Sequence, residues 1–191
     1  MDQEVVLSRV IRFFILLVLV MLSAGCSRRV VSSEELDRLI VEVSSRHGLS
    51  APLLKAVVWQ ESRFDPTRVG KKGEVGLMQL MDGAVDDWAR VNRCEKPSRE
   101  ELFDPELNLE IGAWYLSWTG SLWPGRESRE ILQLAAYNAG CGKVEKLWLP
   151  EDESMCLELD MITYPGTRDY ITKILSKAQV YEEAGLGKEL R

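Results

Sequence analysis

A stripe of apolar side chains that ends in a carboxylate constrains this chain most strongly. Within Ala51–Arg63, Leu54, Val57, Val58 and Glu61 fall at i, i+3, i+4 and i+7, the spacing of one helix face. A fold that buries the three aliphatic residues carries Glu61 to the same side. It does so near the helix C-terminus, just before the stop signal Asp65-Pro66. Poor solvation and the negative pole of the helix both disfavour the ionised form, so the placement predicts a raised pKa. A carboxylic acid that keeps its proton near neutrality is what a general acid has to be. The ordinary alternative is a helix-end glutamate that curls into water or pairs with Arg63, and spacing by itself does not choose between them.

The rest of the chain reads as further helices. Ser32 with Glu35 forms a capping-box start, and Leu36, Leu39, Ile40 and Val43 continue it as a stripe that stops near Gly48. Ser50 caps the Glu61 helix, with Pro52 tolerated in its first turn. Thr67–Val75 is a Gly- and Lys-rich loop, Gly76–Leu80 has no clear period, and helical pattern returns over Gly83–Val91 with Asp82 as an expected N-cap. Asp104-Pro105 opens a helix to about Trp118, and Ser128 caps another through Tyr137. A short helix spans Gly142–Trp148. After an acidic, irregular stretch from Pro150 to Pro165, a last helix over Thr167–Ala184 buries Tyr170, Ile171, Ile174, Leu175, Ala178 and Tyr181. No long strand and no internal repeat is present, so the fold class is a mostly α domain.

The first residues read as an export signal. Arg9 and Arg12 precede the apolar run Phe13–Leu22, which is far shorter than the ~20 residues a spanning helix needs. Ser23-Ala24-Gly25-Cys26 then resembles a lipoprotein processing box, with Ser23 where an aliphatic residue is commonest. The expected organisation is a signal peptide over 1–25, a linker and first helix over 26–49, a main helical domain over 50–185 and a tail over 186–191. Cys26 would carry the lipid anchor that ties the chain to a membrane. No acidic residue follows it, which resembles an outer-membrane sorting pattern with the domain in the periplasm.

Composition closes off several chemistries. With 24 Lys and Arg against 30 Asp and Glu, the net charge is −6, and no basic run offers a nucleic-acid surface. The one histidine, His47, stands at a helix end beside Gly48, where it caps the helix electrostatically rather than completing a Ser-His-Asp or Cys-His set. No Cys-x-x-Cys pair is present and no cofactor or metal is called for. Beyond Cys26 there are Cys94, Cys141 and Cys156; Cys141 and Cys156 are candidates to pair in an oxidising compartment, and spacing leaves the connectivity open.

Four motifs occur in order: Leu54-Lys-Ala-Val-Val-Trp-Gln-Glu-Ser-Arg-Phe-Asp-Pro66, Gly76-Leu-Met-Gln-Leu80, Ala135-Ala-Tyr-Asn-Ala-Gly140 and Thr167-Arg-Asp-Tyr-Ile171. With the segment Asp104–Leu116 between the second and third, they resemble the catalytic domain of soluble-type lytic murein transglycosylases, related to goose-type lysozyme. The resemblance covers about Ser50–Val180. It implies a lysozyme-like helical domain with a substrate cleft. The implied reaction is cleavage of the β-1,4 bond between N-acetylmuramic acid and N-acetylglucosamine in peptidoglycan glycan strands. Glu61 would act as acid and then as base, closing the muramic C6 hydroxyl onto C1.

Carried over residue by residue, the resemblance implies that Ser62 bonds substrate or positions the helix end. Gly76 lets backbone approach a sugar, and Met78 and Gln79 line the cleft. Tyr137 and Asn138 reach the N-acetyl groups or the acid, and the hydroxyl of Tyr170 partners Glu61. The chain departs from the pattern at Gly70, where Ser is common, and near Gly166, where Glu is common. None of the four motifs carries a second glutamate at a place comparable to Glu61. A lysozyme that uses water, a non-catalytic glycan-binding lipoprotein and a plain structural lipoprotein are the competing readings.

Overall fold

The structure, a computed structural model, describes residues 31–152 and 155–187. The expected signal peptide, Cys26 and residues 188–191 of the expected tail lie outside the described residues. Among the described residues seven α-helices follow one another: α1 (Ser33–Arg46), α2 (Ala51–Ser62), α3 (Asp82–Asn92), α4 (Pro105–Ser121), α5 (Arg129–Ala139), the single turn α6 (Cys141–Lys143) and α7 (Pro165–Glu183). Among the described residues, β structure is confined to isolated bridges pairing Val75 with Val69 and Leu80, so the Gly76–Leu80 motif is a tight loop.

Local chemistry accounts for most of these boundaries. Ser32 Oγ accepts from Glu35 N at 3.1 Å, Ser50 Oγ from Leu53 N at 3.4 Å, and Asp104 Oδ1 from Leu107 N at 2.9 Å. Each satisfies one of the orphan donors of a first turn. Two expected caps differ. Ser128 precedes α5, but its Oγ accepts from Leu157 N at 2.8 Å and so ties down the irregular 149–164 segment. Asp82 is already inside α3, whose cap position is Met81, and its carboxylate pairs with Lys96 at 2.6 Å. The helix expected over Gly142–Trp148 is instead α6 followed by a π-turn over Val144–Trp148. Pro165, with its φ preset for a helix, starts α7 two residues before Thr167.

Helix α2 packs most extensively against α7, and α4 against α5; α1 lies on α2 and α4. Leu54, Val57 and Val58 of α2 and Ile171 and Ile174 of α7 are fully buried, each contributing about 1.5–3 kcal/mol of transfer free energy. Leu175, Ala178 and Tyr181 extend the α7 stripe as half-buried neighbours of the core. His47 follows α1, and its Nε2 lies 2.7 Å from Glu110 Oε1 while Arg46 bonds the other oxygen of the same carboxylate. Cys94, Cys141 and Cys156 are free thiols, so the Cys141–Cys156 pairing left open by the sequence is not formed. No described helix is long and apolar enough to cross a membrane.

Candidate active site

Helix α2 ends abruptly beneath the site. Ser62 is its last residue, and Arg63 and Phe64 then take left-handed φ of 58° and 66°, turning the chain away. Side chains rarely hold that conformation, so the surroundings must enforce it. The Arg63 guanidinium lies over the Trp59 ring at 3.7 Å and donates to the Trp59 carbonyl, which leaves Glu61 without it. The alternative pairing of Glu61 with Arg63 is therefore absent.

Glu61 turns inward instead. Tyr170 of α7, 109 residues further on, donates its hydroxyl to Glu61 Oε1 at 2.6 Å. Burial pushes the Glu61 carboxyl from 4.5 up to about 7; the Tyr170 hydroxyl opposes this, the Glu74 charge adds to it and Arg68 opposes it. Burial likewise holds the Tyr170 hydroxyl well above the ordinary tyrosine range, with the nearby Glu61 next in effect. The tyrosine therefore stays the donor, and Oε2 is left as the oxygen of Glu61 that carries the proton. A half-buried acid poised near neutrality, with one oxygen fixed, is equipped to give a proton and take one back.

The other site candidates are held by different partners. Tyr137, near the end of α5, donates its hydroxyl to the Met78 carbonyl at 2.8 Å and stands edge-on to Tyr115. Burial, then Glu61, raises its hydroxyl pKa well above the usual value. Asn138 is exposed and its Oδ1 accepts from Thr167 Oγ1 at 2.9 Å, joining the ends of α5 and α7. Gln79 takes φ of 49°, and its Nε2 donates to Gly76 O at 2.9 Å and Arg68 O at 3.2 Å. Of the two roles expected for Ser62, the structure favours the second: it is buried, and its hydroxyl donates to Val58 O at 3.1 Å at the end of α2. Two expectations need correction. The Met78 side chain does not line the cleft: it is fully buried over Gly112 of α4, where a Cβ would meet its Sδ at 2.3 Å. At Gly76, with φ of 77°, the close approach is made by the Asn108 amide, 2.2 Å from where a Cβ would stand, and not by open space for a sugar.

Asn108 is the positioning residue that sequence reasoning missed. Its side chain donates to Val75 O and Leu102 O at 3.0 and 2.7 Å and accepts from Met78 N at 2.8 Å. One buried amide therefore pins the motif loop to α4, with every hydrogen bond satisfied by backbone. The signal available in sequence was a polar residue on an otherwise apolar stripe: Asn108 stands one helical turn before Ile111 and Gly112. Two cavities, of about 560 Å³ beside Lys55 and Tyr181 and about 480 Å³ beside Lys96 and Arg99, are not lined by Glu61.

The model of the family described as the transglycosylase SLT domain matches residues 38–153. Proteins named membrane-bound lytic murein transglycosylase C from Edwardsiella ictaluri and Pectobacterium atrosepticum are 32% and 34% identical over 116 residues, which is 58% of this chain and 32% of theirs. The chain thus spans about a third of the length of these curated relatives. An inactive glutamate-to-glutamine mutant of the lytic transglycosylase Slt from Pseudomonas aeruginosa has a similar structure, with TM-score 0.69 and 30% identity over 78% of this chain and 24% of its own. The 70 kDa soluble lytic transglycosylase of Escherichia coli gives TM-score 0.67 and 26% identity over 76% of this chain and 24% of its own. The fold is the lysozyme-like helical fold of these enzymes.

Proposed function

The chain belongs to the transglycosylase SLT domain family, and from that premise we propose that it is a lytic transglycosylase of peptidoglycan with Glu61 as its acid and base. The observation that carries this reading is the half-buried carboxyl of Glu61, held by the Tyr170 hydroxyl at 2.6 Å in surroundings that raise its pKa to about 7. Glu61 Oε2 gives its proton to the oxygen bridging N-acetylmuramic acid to N-acetylglucosamine, and the C1–O bond breaks with positive charge developing at C1. The resulting carboxylate then takes the proton of the muramic C6 hydroxyl as O6 bonds to C1. Glu61 ends protonated, and the product carries a 1,6-anhydro end.

In this reading Gln79, Tyr137 and Asn138 are the partners for N-acetyl groups. Ser62 and Met78 act behind them, one within α2 and the other through the carbonyl that holds Tyr137. In the same reading Cys26 carries a lipid that holds the domain at the periplasmic face of the outer membrane; relatives named membrane-bound support the association.

Digestion of purified sacculi tests the proposal. Wild-type protein should release muropeptides with anhydro ends, identified by mass, and Glu61→Gln should lower release by about 10²–10⁴-fold, the usual contribution of a general acid. Reducing ends in place of anhydro ends, or unchanged turnover in Glu61→Gln, would overturn it.

A further inference from the structure

Thr167 places a hydroxyl among apolar side chains. It is 5% exposed and shares the buried stripe of α7 with Tyr170, Ile171 and Ile174. Such a hydroxyl needs a partner, because burial without one is unfavourable. The partner comes from another helix: Thr167 Oγ1 donates to Oδ1 of Asn138, near the end of α5, at 2.9 Å. A tie between two helices needs only a backbone carbonyl, of which a helix end has several unpaired. This one is made instead to a side chain that is itself exposed. One end of the Asn138 amide is thus held from the interior. The other end, Nδ2 with its N–H groups, has no partner among the described residues.

We propose that Thr167 is a positioning residue that acts through Asn138: by bonding Oδ1 it holds the amide with its N–H groups outward, as donors to the carbonyl oxygen of an N-acetyl group. This rests on the reading of Asn138 as a partner of N-acetyl groups. An unrestrained asparagine amide offers an acceptor or a donor by turning over about its last bond, and so discriminates little. The buried hydroxyl removes that choice. Gln79 is fixed by the same logic with the opposite polarity. Gly76 O and Arg68 O take the N–H groups of its Nε2 at 2.9 and 3.2 Å, which leaves Oε1 as the unpaired acceptor beside Gly70. The two amides therefore present a donor and an acceptor, the two groups that a secondary amide such as N-acetyl requires. A ligand without the acetyl carbonyl would leave the donors of Asn138 with water alone.

Binding of the N-acetylglucosamine tetramer to Glu61→Gln protein, measured by titration calorimetry, reads this without turnover. In that background Thr167→Val keeps the side-chain volume and removes the hydroxyl. It should weaken binding about two- to tenfold, the range set by having to order one further side chain on binding. Thr167→Ser, which keeps the hydroxyl, should restore the affinity. Once Asn138→Ala is present, Thr167→Val should change nothing more, because the residue it acts through is gone. Undiminished binding in Thr167→Val, or losses that simply add in the variant carrying both changes, would overturn the proposal. So would a loss of the same size with the de-N-acetylated tetramer. No bond is cleaved in these titrations, so an absence of anhydro ends from wild type on sacculi would defeat the assigned reaction without deciding this inference.

Discussion

Replacing Glu61 by glutamine should make the protein more stable, and only at neutral and alkaline pH. The carboxyl ionises near 4.5 in an unfolded chain and at about 7 in the folded one, because burial makes its charge expensive. The folded state therefore binds the proton more tightly than the unfolded state. The contribution of Glu61 to stability is fully present below about pH 4.5 and is lost as the pH rises through about 7. At about 1.36 kcal/mol for each pH unit separating the two values, wild type gives up about 3 kcal/mol that the neutral amide retains. For a chain of this length that corresponds to about 6–12 °C in Tm. Thermal and urea unfolding of both proteins, followed by tryptophan fluorescence at about pH 4 and about pH 8, reads the difference directly, and carboxylates common to both cancel. The mutant should gain on wild type between those two conditions. A stability difference that stays flat across them would mean that Glu61 titrates alike in both states, and the desolvated acid would have to be abandoned.

Tyr170→Phe removes the hydroxyl that opposes burial at Glu61, so the alkaline limb of activity should move upward. Turnover should fall about ten- to a hundredfold with the loss of a hydrogen bond to the ionised form worth about 1.5–3 kcal/mol; an unmoved limb with full turnover would remove Tyr170 from the site. Asn108→Ala strands Met78 N, Val75 O and Leu102 O inside the protein. Unfolding should become easier by at least about 3 kcal/mol, and a loss under about 1 kcal/mol in urea unfolding would show that the loop does not hang on this amide.

What could be read ahead of the structure was whatever the chain decides within a turn or two of itself. Ser32, Ser50 and Asp104 each cap the helix they precede, since donor and acceptor lie three residues apart. Ser128 misled because a partner 29 residues away took its hydroxyl, and Asp82 because Lys96 folds back over α3. The motif resemblance pointed to Glu61 with Tyr170, a contact no periodicity reveals, and the structure brings the two within hydrogen-bond reach. It could not say which way Met78 faces, since that follows from a glycine-sized space on α4.

The span matched by the family model stops at residue 153, before the helix that supplies Tyr170 begins at Pro165. A polypeptide synthesised from its N-terminus acquires the acid early and the group that aims it late. Every shorter intermediate therefore carries Glu61 without the hydroxyl that fixes its Oε1, and the pair forms only when α7 docks.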